Sequence, residues 1–546
     1  MLDMQLIRPI TVKRSVAQAF LEQLALWGVK RIYGVVGDAV FGLADALAKQ
    51  QTISFITVKH ESVAAIMASA EAKCTGRLAV CLSQMGPGLT NLLTGLGDAY
   101  MDRAPVLAIT GQAPLDKIGA SYKQNIQQQQ LVRAVAGFTE LVAHPDAAME
   151  VLAQAMYTSL ESRTVSHLSI PSDLFAAETM RLPVEPPRLP VFAAYPEQMQ
   201  KALHIMRAAK RPILLVGRGA RSVREPVLKL AEIWGAGIVN SYGAVAAVPD
   251  AHPFVLNGLG EGGNPHVPGL LQQADVILSI EADLLSDSSI PASSAIVQLA
   301  RTTKMLAVTV PTATPVIGDI HAVIAYWLEG LSGCAPDPAW VRQIQSCKQS
   351  WLTQQDAERQ SSASPLQPAA IIRMLERQIA DDAIIALDEG DSTLWFLRHF
   401  RAEQQNVLLS ARWRTMGFGL PAAMAAKLIF PDRQVVCITG DGGLAMVMAD
   451  LLTAARCGLA VTVILFRNDA LQMERDKMMA KGQRPEGTAL ANPDFAKVAE
   501  ACGWNGLRIE HAEQLEHALK VARASGNPVL LDVRTANTPH PDLQAH

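Results

Sequence analysis

No two cysteines of this chain stand in a C-x-x-C pair. The seven present, at positions 74, 81, 334, 347, 437, 457 and 502, are odd in number and widely scattered. That spacing fits reduced thiols in a cytosol better than a disulfide framework or a zinc site. Excess charge of either sign is also missing. Forty-eight Lys and Arg stand against 51 Asp and Glu, a net charge of −3, which removes the electrostatic case for nucleic acid or an anionic membrane surface. No stretch reaches the roughly 18 uncharged apolar residues of a membrane span. The opening segment, MLDMQLIRPITVKRS, carries no apolar core of the secretory type. The expectation is a cytoplasmic protein with neither a membrane nor a nucleic acid as partner. Of the 546 residues, 49% are hydrophobic and 18% charged, a core-forming composition with length for about three to four domains.

Short apolar runs bounded by glycine alternate with amphipathic segments along the whole chain. That alternation predicts an α/β protein built from doubly wound parallel-sheet domains. Two stretches break the rhythm, LPVEPPRLPVFAAYP at 182–196 and SSASPLQP at 361–368. Both read as linkers, because proline lacks a backbone donor and resists helix and sheet alike. The second follows a charged segment of helical character, WVRQIQSCKQSWLTQQDAERQ. The predicted domains are therefore 1–182, 193–335 and 366–546. No short-period repeat is visible, yet the first and third pieces are loosely alike. Each opens with a helix and a short strand and continues with a strand–glycine–helix unit.

One segment carries chemistry. QVVCIT (434–439) reads as a central strand that ends on Gly440-Asp441-Gly442-Gly443. Leu444, Val447, Met448, Leu451, Leu452 and Ala455 then follow helical spacing, which predicts one helix with an apolar stripe against the sheet. Gly458 stands where that helix should be capped. VTVILF (461–466) reads as the next strand and leads into Arg467-Asn468-Asp469. A strand–helix–strand crossover places both strand ends on one edge of a parallel sheet. Asp441 and Asn468, 27 positions apart, should therefore meet at the carboxyl edge, where α/β sheets bind ligands. A carboxylate with an amide oxygen, and no histidine or cysteine, suits a hard cation such as Mg²⁺ or Ca²⁺. The glycines would let a phosphate approach backbone amides at a helix N-terminus. GDG by itself admits equally well an acid that merely caps a tight turn; the helix, second strand and asparagine together favour a metal with a diphosphate.

GDGGLAMVMADLLTAARCGLAVTVILFRND resembles the thiamine diphosphate motif of the acetolactate synthase and pyruvate oxidase group. The likeness extends through VKHESVAAIMASAEAKCTG, QMGPGLTN, PVLAITGQAP, TMGFGLPAA and FAKVAEACG. It implies a pyrimidine-binding first domain, a Rossmann-like central domain and a diphosphate-binding third domain, with thiamine diphosphate and Mg²⁺ as cofactors. Asp441, Asn468 and the carbonyl of Ala470 would hold the metal. Glu61, which by its position alone could be a helix macrodipole partner, aligns with the glutamate that activates the cofactor. Met416 aligns with the bulky residue that bends the cofactor, although it also suits a gap-filling core position. The carbonyl of Arg414 would accept from the aminopyrimidine, and Gly86-Pro87-Gly88 would pass close to that ring. Gln124 aligns with a glutamine near the substrate; a solvated helix face is the other reading of SYKQNIQQQQ. Ser392 and Thr393, after Asp391 at a further strand end, would reach the diphosphate. The likeness also implies that the first domain of one copy faces the third of another, hence a homodimer or homotetramer.

The sequence departs from the group in three places. Lys123 and Asn125 flank Gln124 where phenylalanine and glutamate are usual, Arg412-Trp413-Arg414 replaces a glycine-rich stretch, and Arg467 replaces an asparagine. These cations either recognise a second acidic group on a 2-oxoacid, or point to solvent or pair with Asp391 and Asp469. Relatives with flavin hold FAD in the central domain, where RPILLVGRGARS (211–222) offers only Gly217-x-Gly219, a weak fingerprint. Glu261 lies near a usual histidine, and IVQLARTTKMLAV lacks an acidic strand end. The expectation is a central domain without FAD. The chain stops soon after PVLLDVRTA with no amphipathic tail, which disfavours a membrane-linked oxidase. The implied activity is decarboxylation of a 2-oxoacid, pyruvate first, with carboligation. The alternatives are a flavin-dependent pyruvate oxidase-like enzyme, a simple decarboxylase for an acidic oxoacid, and a catalytically inactive paralogue.

Overall fold

Three six-stranded sheets, every strand pairing parallel within them, account for the architecture. The computed structural model describes residues 13–187, 192–282, 290–303, 306, 313–360 and 364–543. Parts of both predicted linkers (188–191 and 361–363), and residues 304–305 and 307–308 of IVQLARTTKMLAV, lie outside the described residues. The chain divides into two compact units, 1–189 with 424–429, and 190–423 with 430–546. The first sheet belongs to one unit and the central and third sheets to the other. Among the described residues no helix is long and apolar enough to cross a membrane.

The first sheet runs Ser54–Thr57, Arg31–Gly34, Ala79–Ser83, Val106–Gln112, Val165–Pro171, Phe138–Leu141 across its width. In chain order its strands lie 2-1-3-4-6-5. The third sheet has the same order, with Asn406–Leu408, Ile384–Leu387, Val435–Gly440, Thr462–Arg467, Val529–Arg534 and Asn505–Ile509. The loose likeness of the two pieces is thus a shared topology. The central sheet runs Val255–Gly258, Gly237–Asn240, Pro212–Val216, Val276–Ile280, Ala295–Ala300, Thr314–Ile317. That is order 3-2-1-4-5-6, the doubly wound dinucleotide-binding arrangement.

Alternation along a strand shows why both faces are covered. Leu214 and Val216 join one apolar cluster, while Ile213 and Leu215 of the same strand join another on the opposite face. The helix predicted ahead of the second linker is Pro338–Glu358, which buries Trp340 and Ile344 in the second of those clusters.

The segment after Gly440 differs from the predicted single helix. It is a helix at Asp441–Val447, a 3-10 turn at Met448–Asp450 and a second helix at Leu451–Arg456. Leu452 is 45% exposed, whereas Asp450, Thr453 and Ala454 are buried. Asp450 Oδ1 accepts from the Thr453 hydroxyl at 2.7 Å. This local bond between buried side chains favours the break and re-phases the buried face. Gly458, at φ +61°, ends the second helix as expected.

Candidate functional site

The strand Val435–Gly440 pairs with Ile384–Leu387 on one side and Thr462–Arg467 on the other. Its first neighbour continues the chain in one direction and its own successor in the other, so this edge is the topological switch point of the third sheet. Asp441 sits there as the first residue of its helix, and is 1% exposed. Its Oδ1 accepts from the Gly442 amide at 3.0 Å. Its Oδ2 accepts from the Asp469 amide at 2.6 Å and from Asn492 Nδ2 at 2.8 Å. Burial pushes its carboxyl up to about 6, against the pull of those donors. Asn468 follows the neighbouring strand, and its Oδ1 accepts from the Ala470 amide at 3.2 Å. Asp441 and Asn468 therefore converge at one strand edge, as their spacing predicts, with Ala470 beside them.

The glycines of the motif have different surroundings. A Cβ on Gly440 would meet nothing within 4 Å. On Gly442 it would lie 2.8 Å from Leu471, 3.1 Å from Met416 and 3.3 Å from Leu490; on Gly443, 2.8 Å from the Asp388 carboxyl carbon. Gly440 alone faces open space, and the other two permit close packing. Asp388 is a residue that the sequence reading passed over. Its Oδ1 accepts from the amides of Glu389 and Gly417, and its Oδ2 from the Gly419 amide and the Thr439 hydroxyl. One buried carboxylate thus ties the loop carrying Met416 to the strand before Asp441. The only sequence signal was an acid ending an apolar strand, the same signal that marks Asp441.

At the start of the helix Asp391–His399, Asp391 Oδ1 and Ser392 Oγ are buried and have no hydrogen-bond partner among the described residues. The Thr393 hydroxyl donates to the Asp388 carbonyl. The Asp391 carboxyl is pushed up to about 8, by burial first and then by Asp476 and Asp441. Its charged neighbours are thus acidic, and no arginine of the predicted set joins it. Arg467 instead donates from Nε to Asp532 at 2.7 Å and lies 3.7 Å from Asp469. The Arg414 guanidinium lies 2.6 Å from Glu261, 3.7 Å from Glu389 and 4.0 Å above the Tyr242 ring. Arg412 and Trp413 are exposed.

In the other unit, the strand Ser54–Thr57 leads through Lys59-His60 into the helix Glu61–Thr75, and Glu61 is its first residue. Glu61 Oε2 accepts from Asn91 Nδ2 at 2.9 Å. A Cβ on Gly88 would lie 3.3 Å from Glu61 Oε1, and one on Gly86 would lie 2.6 Å from the Gln124 carbonyl oxygen. Gln84 Nε2 reaches Gln124 Oε1 at 2.9 Å and Asp38 Oδ1 at 2.6 Å, and Asp38 also pairs with Lys123. Glu61 and Gln124 therefore both lie against the turn Gly86-Pro87-Gly88. Gln124 is not on a helix face: it is a turn residue at φ +58°, ahead of the helix Gln128–Val132. Asn91, Gln84 and Asp38 were not singled out beforehand. Asn91 alone had a signal, the helical spacing of four from Pro87. Gly86 has φ +59°, so Gly86→Ala adds left-handed strain to a clash with the Gln124 carbonyl. The variant is expected to lose about 1–3 kcal/mol of stability, read as a lowered midpoint in urea.

The residues present fit the expected groups. Asp441, Asn468 and the carbonyl of Ala470 offer only hard oxygen donors. The Asp441 carboxylate adds to the burial that raises the proton affinity of Asp391, a balance that a cation reverses. The orphaned Ser392 hydroxyl at a helix N-terminus offers a donor to an anionic oxygen. Among the described residues no three His, Cys, Asp or Glu side chains converge as a metal cluster, so a metal here depends on amide and carbonyl oxygens.

Comparison with known proteins agrees over all three sheets. The N-terminal TPP binding domain of thiamine pyrophosphate enzymes matches residues 14–134, the central domain 199–326, and the C-terminal TPP binding domain 388–533. A putative thiamine pyrophosphate-containing protein, YdaP, of Bacillus subtilis is 33% identical over 96% of this chain and 92% of its own. An acetolactate synthase of Mycobacterium bovis is 31% identical over 94% and 87%. A pyruvate oxidase of Lactiplantibacillus plantarum is 28% identical over 96% and 89%. Sheet order, the Asp441–Asn468 strand edge and these matches together establish that the chain belongs to the thiamine pyrophosphate (thiamine diphosphate) enzyme family.

Proposed function

We propose that this chain uses thiamine diphosphate and Mg²⁺ to decarboxylate a 2-oxoacid, pyruvate foremost, and joins the remaining fragment to a second oxoacid, as acetolactate synthases do. The observation that carries the reading is Glu61, held by Asn91 with its second oxygen turned to the Gly88 turn. The cofactor, when bound, supplies a carbon nucleophile and an electron sink for the departing CO₂. Glu61 holds and returns a proton at Oε1, and Asn91 fixes the orientation of its carboxylate. The carbonyl of Arg414 would accept from the aminopyrimidine, and Met416 would bear against the cofactor. Asp441, Asn468 and the Ala470 carbonyl would hold Mg²⁺, while Ser392, Thr393 and the backbone of Gly440 to Gly443 would meet the diphosphate. Gln124, positioned by Gln84, presents its amide to the substrate beside Gly86 and Pro87.

The domain boundaries in this reading are 1–182, 193–335 and 366–546. The working form is a cytoplasmic homodimer or homotetramer, in which Glu61 of one copy and Asp441 of another serve a single cofactor. The pairing of Lys123 with Asp38, Arg414 with Glu261 and Arg467 with Asp532 supports a small monoacidic substrate. These cations already have anionic partners.

The test is incubation with thiamine diphosphate, Mg²⁺ and a panel of 2-oxoacids, following CO₂ and products by mass spectrometry. Pyruvate should give CO₂ and a hydroxyketo acid. Stripping the metal with EDTA should abolish both, and Mg²⁺ should restore them. No CO₂ from any oxoacid of the panel refutes the reading.

A further inference from the structure

The central sheet has its own switch point. Its strands Pro212–Val216 and Val276–Ile280 lie side by side, and the connections leave them in opposite directions. Doubly wound sheets take dinucleotides at that point, where glycines after the first strand let a pyrophosphate come close to the backbone. Gly217 and Gly219 follow the first strand here. The space above them is filled by the chain itself. A Cβ on Gly217 would lie 1.8 Å from the Glu281 carbonyl oxygen, and one on Gly219 would lie 1.5 Å from Glu281 Oε2. Gly217 is close to a backbone carbonyl and Gly219 to a protein carboxylate, where a phosphate oxygen would otherwise approach.

Glu281 is held there from several sides. Its backbone has φ +48°, an uncommon conformation for a non-glycine residue. Its amide donates to the Leu299 carbonyl at 2.9 Å. Arg301, just past the strand Ala295–Ala300, lies 2.6 Å from Oε2 through Nη1 and donates from Nη2 to Ser222 Oγ at 3.0 Å. Ser222 in turn donates to the Gly219 carbonyl at 3.0 Å, closing a ring through the loop. The Glu281 side chain is 3% exposed, and its Oε1 has no hydrogen-bond partner among the described residues. A pyrophosphate would meet steric exclusion and a buried like charge together. Arg301, a cation that bridges this loop and the next strand end, is already committed to Glu281.

We infer that Glu281, latched by Arg301, closes the nucleotide crevice of the central domain, so that this chain holds no FAD or other adenine dinucleotide there. The inference rests on the central sheet and is independent of the thiamine reading.

The purified protein should show no flavin absorbance near 450 nm and no saturable calorimetric signal with FAD or ADP. Glu281→Gly accepts the positive φ without strain and removes the carboxylate. It should gain saturable ADP binding, at least tenfold tighter than the parent. Glu281→Asn tolerates the same backbone with a short neutral side chain, and should gain binding in the same direction; it serves if the glycine variant fails to fold. Flavin copurifying near one per chain, or ADP or FAD titrating the parent protein, overturns the inference. So does a folded Glu281→Gly or Glu281→Asn that binds ADP no better than the parent. A parallel titration with thiamine diphosphate and Mg²⁺ reports on the other site separately.

Discussion

Glu61→Gln is expected to lower turnover by about 10²–10⁴-fold, the range supplied by a positioned acid–base group, with the fold intact. Glutamine keeps the length of the side chain and an oxygen to accept from Asn91 Nδ2, so the 2.9 Å contact survives. It cannot hold and return a proton. The rate should fall while the affinity for thiamine diphosphate, read by calorimetry, changes by less than tenfold. Asn91→Ala should produce a smaller loss of rate, because it frees the carboxylate to rotate without removing it. A Glu61→Gln protein that turns over at the parent rate would exclude Glu61 from the chemistry.

Asp388→Ala should be among the most destabilising substitutions in the third domain. Asp388 is buried and accepts from three backbone amides and one hydroxyl. Burial raises its carboxyl above the usual range, and these donors oppose the rise. Each donor stranded in a dry interior costs roughly 1–3 kcal/mol; with partial relaxation the total is on the order of 3–5 kcal/mol. That is a large part of the ~5–15 kcal/mol by which native proteins are stable. The loop Thr415–Gly419, freed from the strand, should also position Met416 poorly. Weaker thiamine diphosphate binding should therefore accompany a lower thermal midpoint. Asp388→Asn retains one acceptor and should fall between parent and alanine variant. An alanine variant with an unchanged midpoint would show that the loop is anchored elsewhere.

The fold class was legible in the sequence because period and punctuation are local properties. An apolar run, a glycine break and a helical stripe mark a strand–turn–helix unit wherever they occur, and three sets of such units build the three sheets. The meeting of Asp441 and Asn468 was legible for the same reason, since a single right-handed crossover fixes which strand ends share an edge. The helix after Gly440 was misread where a buried contact between Asp450 and Thr453 outweighed the apolar spacing. The helix face left open as the second reading of Gln124 does not form, because its backbone turns at φ +58° against Gly86.

Sequence alone determined the strand-end chemistry: which carboxylates stand beside glycine, and that no histidine or cysteine accompanies them. Tertiary structure decided where each cation goes and which glycines face open space. Arg414 meets Glu261 from 153 positions away, Arg467 meets Asp532 from 65 positions away, and Glu281 fills the Gly217–Gly219 loop. Those pairings join side chains on different strands and loops, and their partners are chosen by sheet order and burial, which spacing along a chain does not encode.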